Sequence, residues 1–179
     1  PLFNKENINT KGYFTIHMGN EEKFKTMPPE LWIKVLKDII KKYDNQVIIL
    51  GGKNEKPFSL KILESIYSKK VLNFTGKTNL YQTIRLINSS KAMISIDSGL
   101  SHIASALEVP LVSIYGPTKI SQISPINIRG YTISYPLECS NCYWSNRYYD
   151  CQYGRECLSS ITPNSINKAI KMVINNSNV

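Results

Sequence analysis

Trp32, Val35, Leu36, Ile39, Ile40 and Tyr43 recur at helical spacing with Lys and Asp residues between them, so the stretch from Pro29 predicts an amphipathic helix with one buried face. Val47 to Leu50 form a continuous apolar run of strand length closed by Gly51 and Gly52, as in a parallel strand covered on both faces. The alternation repeats. The pattern predicts a helix over 60–67, a strand over 71–74, a helix over 80–88 and a strand over 92–96. A helix over 98–107 and strands over 111–115 and 131–134 follow, and a strand over 13–16 precedes the first helix. The last helix uses Ile166, Ala169, Ile170, Val173 and Ile174, with Pro163 at its start, where a missing N–H costs nothing. Strands alternating with helices of about ten to fifteen residues predict right-handed βαβ units. The fold class expected is α/β, a Rossmann-like open parallel sheet with helices on both faces. Only 138–160 breaks the rhythm, and the polar residues 1–11 read as a linker.

At 179 residues the chain suffices for one domain with a real core and falls short of two. Hydrophobic residues at 42% and charged ones at 20% place it with globular proteins. No apolar run approaches the ~20 residues of a membrane span, and a signal-peptide pattern is absent at the N-terminus, so the expected location is the cytoplasm. The chain begins with Pro1, from which a missing upstream segment is expected. The formal charge of +9 attracts anions, with nucleic acid, anionic lipid and nucleotide-like substrates all eligible. The same charge is also what a Lys-, Ile- and Asn-rich composition gives with no ligand at all, since Lys34, Lys37, Lys41 and Lys42 are spread over a helix surface.

Ligands of such sheets sit beyond the carboxyl ends of the strands. There, Asp97, Ser98 and Gly99 form a small turn that opens directly into a helix carrying His102. Free N–H groups and the helix dipole make this an anion site; equally, Asp97 or Ser98 could merely cap the helix and His102 could be a packed side chain. Gly116, Pro117 and Thr118 follow the next strand, so the Thr118 hydroxyl is placed near the same anion, although Gly-Pro is also ordinary loop chemistry. Lys25, after the first strand, could neutralise phosphate or be one more surface lysine.

The run DSGLSHIASALEVPLVSIYGPT over 97–118 closely resembles the signature of glycosyltransferase family 9, the ADP-heptose heptosyltransferases. KTMP over 25–28 is similar to the family's K-x-W-P, with Met27 in place of Trp; LGG over 50–52 and FTGKTNL over 74–80 match its other motifs in order. The resemblance covers about 13–175. It implies one half of a GT-B glycosyltransferase, the C-terminal nucleotide-sugar-binding domain, with the N-terminal acceptor domain missing. It further implies that the amides of Ser98 and Gly99 hold the donor diphosphate with Lys25 and Thr118 nearby. Asp97 would contact the sugar or order the loop, with His102 supporting the site. Backbone around Thr78 would meet adenine, and Glu55 the ribose hydroxyls. The implied reaction is inverting transfer from an ADP-sugar to a glycolipid (lipopolysaccharide core) or protein acceptor, at the inner face of the inner membrane. A helix N-terminus plus Lys can stabilise a leaving diphosphate, so no cofactor is expected for catalysis. The general base is expected in the missing domain, which leaves the catalytic residues of this chain unassigned.

Cys139, Cys142, Cys151 and Cys157 form C-x2-C-x8-C-x5-C, either a tetrahedral metal site or two disulfides. A reduced cytoplasm and the C-x2-C spacing point to a structural zinc or iron, a staple without a role in the chemistry. Protein-glycosylating members of the family carry a comparable iron finger. Two rival readings remain at this point. One is a nucleic-acid-binding protein with a zinc-ribbon-like knuckle, against which stands the scarcity of basic residues there, Arg147 and Arg155. The other is a GT-B enzyme using another nucleotide sugar.

Overall fold

The computed structural model describes residues 8, 12–19, 25–126 and 129–175. Apart from Ile8, the expected linker lies outside the described residues. Six parallel strands form one open sheet in the order β3-β2-β1-β4-β5-β6. They are β1 (Tyr13–His17), β2 (Gln46–Leu50), β3 (Val71–Asn73), β4 (Ala92–Ile96), β5 (Leu111–Tyr115) and β6 (Gly130–Ser134). The Rossmann-like expectation is met.

The alternating strand residues divide between two cores, as buried parallel strands require. Phe14, Ile16, Val47, Ile49, Ile94 and Val112 face α1 (Pro29–Lys42) and α7 (Pro163–Asn175), meeting Trp32, Leu36, Ile39, Ile166 and Ile170. Tyr13, Ile48, Leu50, Met93 and Leu111 face the other way, where Leu86 and Ile87 of α3 (Leu80–Asn88) and Ala104 of α4 (Gly99–Ala106) cover them. Both faces of the sheet are thus closed, and the open ground lies at its carboxyl edge.

Two helices differ from the sequence pattern. The second, α2, runs over Lys56–Leu63, about a turn earlier than 60–67. Pro57 fits the first helical turn, where its missing N–H is harmless, and the helix ends before the fully exposed Tyr67. A one-turn helix, α5 (Ile120–Ile123), follows β5 and has no periodicity long enough to detect.

The segment 138–160 folds as two 3-10 turns, Cys142–Trp144 and Asn146–Tyr148, and a short helix, α6 (Glu156–Ser159). It is anchored on the β5 loop: the Tyr143 N–H donates to the Pro117 carbonyl at 3.0 Å, and Leu158 is buried against Gly116. A Cβ on Gly116 would lie 2.6 Å from Leu158 Cγ, a contact no structure sustains. Glycine is required there for space. Gly116→Ala is expected to cost about 1–3 kcal/mol in chemical denaturation, as overpacking does. Combining it with Leu158→Ala should cost less than the sum of the two single changes, because the second removes the atoms the first collides with.

Candidate functional site

In a sheet of this order the strand order reverses between β1 and β4, and the crevice outside those two strand ends is the binding position such a topology provides. Lys25 follows β1 and Asp97 follows β4. Their side chains meet across the crevice, Nζ to Oδ2, at 3.0 Å, with each only about a tenth exposed. Lys25 is therefore no surface lysine. Its loop is fixed by Met27, fully buried among the residues facing α1, so Met in place of the family's Trp still anchors the turn. The ammonium also stands 3.6 Å above the centre of the Tyr143 ring, a cation–π contact from the cysteine segment.

Ser98 precedes α4 in extended conformation and provides no side-chain cap; its hydroxyl pairs with that of Ser95 at 3.1 Å. The Ser98 side chain thus leaves the start of α4 uncapped, as an anion site requires, while the Ser101 N–H already meets the Ser98 carbonyl at 3.2 Å. Gly99 sits at that opening with no atom within 4 Å of where a Cβ would be. His102 is exposed and turned to the same space, not packed in the core. A cavity of about 410 Å³ is lined by Lys25, Asp97, Ser98, Gly99 and His102, and also by Lys119, Tyr143 and Trp144. The last three were not among the expected residues. Lys119 adjoins the Gly-Pro-Thr turn and was within reach of the motif; the aromatics are brought in by a tertiary contact that no local pattern signals.

Thr118 is buried without a hydrogen-bond partner and does not line this cavity; its neighbour Lys119 does. Glu55 lies elsewhere too. Its carboxylate is 2.9 Å from His17 Nε2 and accepts the Gly52 N–H at 2.7 Å, at the wall of a second cavity of about 1200 Å³ that Thr26, Phe58, Lys61 and Arg155 also line. Lys25 and Thr26, adjacent in the chain, face the two cavities respectively, so these flank a single step of backbone. Thr78 lines neither, and its hydroxyl pairs with that of Thr83 at 2.8 Å.

All four cysteines are free thiols and line one void of about 20 Å³ together with Pro117, Tyr148 and Glu156. Burial, and then the neighbouring Cys142, Cys151 and Cys139, push the Cys157 thiol up to about 11; burial and Cys139 raise Cys142 as well. Among the described residues no three His, Cys, Asp or Glu side chains already form a metal-holding set.

Comparison with known proteins bears on this geometry. Residues 3–151 match the model of glycosyltransferase family 9 (heptosyltransferase). Lipopolysaccharide heptosyltransferase 2 of Salmonella typhimurium is 35% identical over 85 residues, 46% of this chain and 24% of that protein. The solved E. coli ADP-heptose LPS heptosyltransferase II superposes with a TM-score of 0.83 at 23% identity, over 99% of this chain and 51% of that one. TibC of enterotoxigenic E. coli, a dodecameric iron-containing heptosyltransferase solved with ADP-D-β-D-heptose, gives 0.71 at 19% identity, over 92% of this chain and 46% of its own. The chain thus spans about half the length of the solved relatives it resembles. No described helix is long and apolar enough to cross a membrane.

Proposed function

The chain belongs to glycosyltransferase family 9, and from this premise we propose that it is the donor-binding half of a heptosyltransferase, transferring heptose from an ADP-sugar to a lipopolysaccharide core or protein acceptor. The observation that carries the reading is the Lys25–Asp97 pair across the β1/β4 crevice, beside the uncapped start of α4. A nucleoside diphosphate would lie along the strand ends. The Ser98 and Gly99 amides and the Lys25 ammonium would then stand where negative charge develops as the diphosphate leaves. Lys25 is held in advance by Asp97 and Tyr143, so its positioning is complete before the donor arrives. Asp97 keeps the lysine and the loop in register, and His102 reaches the same space from the next turn of α4. The rival nucleic-acid reading is not favoured by a family of transferases. The proposed setting is the cytoplasm, with the acceptor and the general base presented by a facing N-terminal domain at the inner face of the inner membrane.

A thermal-shift panel of ADP, UDP and GDP tests the donor. ADP at saturation should raise the unfolding midpoint by a few degrees and the other two by less. Equal shifts for all three, or none for ADP, would remove the adenine assignment.

The four thiols suit a tetrahedral zinc or iron, a reading supported by the iron in TibC. They share one void and carry no disulfide, although a metal would have to draw the sulfurs together from their present spacing. Cys139, Cys142, Cys151 and Cys157 would hold it, and its contribution would be to hold the segment folded. Elemental analysis of untagged protein should find about one equivalent per chain, as a tetrahedral site predicts. Absence of metal, with S–S bonds seen by mass spectrometry under non-reducing conditions, would assign disulfides instead.

A further inference from the structure

The aromatic residues of the cysteine segment extend its role beyond a staple. Trp144 lines the donor cavity together with Gly99 and His102, yet it is 84% exposed, whereas the other tryptophan, Trp32, is fully buried. An indole left in water forfeits the stabilisation that burial would give it, and the fold offers no packing reason for the sacrifice. The ring is nonetheless held. Tyr143 abuts it edge-to-face at 4.5 Å, and Tyr143 in turn packs at 4.9 Å on Tyr148, which is buried. Tyr143 also carries the Lys25 ammonium on its face. One aromatic ladder thus joins the buried base of the cysteine segment, the phosphate-side lysine and an open indole on the cavity rim.

We infer that Trp144 is the platform for the glycosyl ring of the donor, so that the cysteine segment forms the sugar-side wall of the site. The inference rests on the donor-binding reading above. Strand order gives the direction. Strands lie about 4.8 Å apart, so the β2 loop that carries Glu55 and the β4 turn are separated by roughly 10 Å, the reach of a nucleoside. The β5 side, where Lys119 and the cysteine segment stand, is one further spacing along. A nucleotide sugar laid with its ribose at Glu55 and its diphosphate at Ser98 and Gly99 places its sugar there. The C–H face of a pyranose is apolar and flat enough to cover an indole, while its hydroxyls remain open to Lys119 and His102.

Titration calorimetry of the parent chain, Trp144→Ala and Trp144→Phe with ADP and with ADP-heptose tests this. The parent should bind ADP-heptose more tightly than ADP. Trp144→Ala should lose about tenfold in ADP-heptose affinity with ADP unchanged, and Trp144→Phe should recover most of the loss. Because Trp32 is buried and Trp144 open, parent emission should shift to the blue with ADP-heptose and not with ADP, and Trp144→Phe should abolish the shift. An equal loss for both ligands would make the indole a nucleobase or structural contact, and no loss for either would assign it to another surface; each overturns the inference. Failure of the parent to bind ADP at all would instead overturn the donor-site reading, and this inference with it.

Discussion

Gly99→Val is expected to fold as well as the parent and to bind ADP about a hundredfold more weakly or worse. The two halves of that expectation come from different observations. A Cβ at Gly99 meets nothing within 4 Å, and the residue is outside the left-handed region, so valine finds both room and an allowed backbone. At the first position of α4, exchanging glycine for a β-branched residue changes helix propensity by only a few tenths of a kcal/mol. The empty space is on the ligand side. There the isopropyl group blocks the approach of a phosphate to the amides of Ser98 and Gly99. Two charge-assisted hydrogen bonds at about 1.5–3 kcal/mol each make a hundredfold loss a modest figure. Calorimetric titration with ADP beside a denaturation curve reads both quantities. Unchanged affinity in a stable variant would place the diphosphate elsewhere. Lys25 makes a poorer probe: removing it leaves the Asp97 carboxylate nine-tenths buried without its cation, at a cost of about 3–5 kcal/mol, so lost binding and lost fold would be confounded.

The contrast between Gly99 and Lys25 also marks what a sequence can hold. The strand-end turn, its glycine and the helix behind it are local, and hydrophobic periodicity places them within a residue or two. The helix expected over 60–67 differs from α2 because Pro57 sets the start a turn earlier, and Leu60 and Tyr67, the ends of the expected span, are both exposed. Motif order pairs Glu55 with the donor, and what order does not convey is that its carboxylate also meets His17 and the Gly52 amide, one on each oxygen. Thr118 and Lys119 illustrate the finest limit. Neighbours in the chain, they differ in which one the β5 turn swings into the cavity. The largest omission was the position of the cysteine segment. Its spacing showed four thiols in one cluster, but docking against Gly116 and Pro117 depends on the shape of the β5 loop and on Leu158 filling the gap above a glycine. Only that docking brings Tyr143 onto Lys25 and Trp144 to the rim.

The 179 residues by themselves are expected to bind ADP-heptose and to transfer no measurable sugar. Transfer requires an acceptor hydroxyl held in line with the anomeric carbon and a base to take its proton. Among the described residues, Asp97 is the one carboxylate lining the donor cavity. It is ion-paired with Lys25 at 3.0 Å, and a proton transferred to it would break the pair that holds the phosphate-side lysine. The next carboxylate, Glu55, belongs to the other cavity and is engaged by His17 and Gly52. Neither stands ready as a base. Loss of general-base assistance alone costs about 10²–10⁴ in rate, and loss of acceptor positioning costs several further orders. The measurement is transfer of labelled heptose from ADP-heptose to a lipid-core or protein acceptor, by this chain and by a version joined to an N-terminal acceptor domain. Binding without turnover in the first and turnover in the second is the expected pair of results. Turnover by the first alone would place the base within these residues. Asp97→Asn, which keeps the size of the side chain but cannot accept the proton, would then be the variant to abolish it.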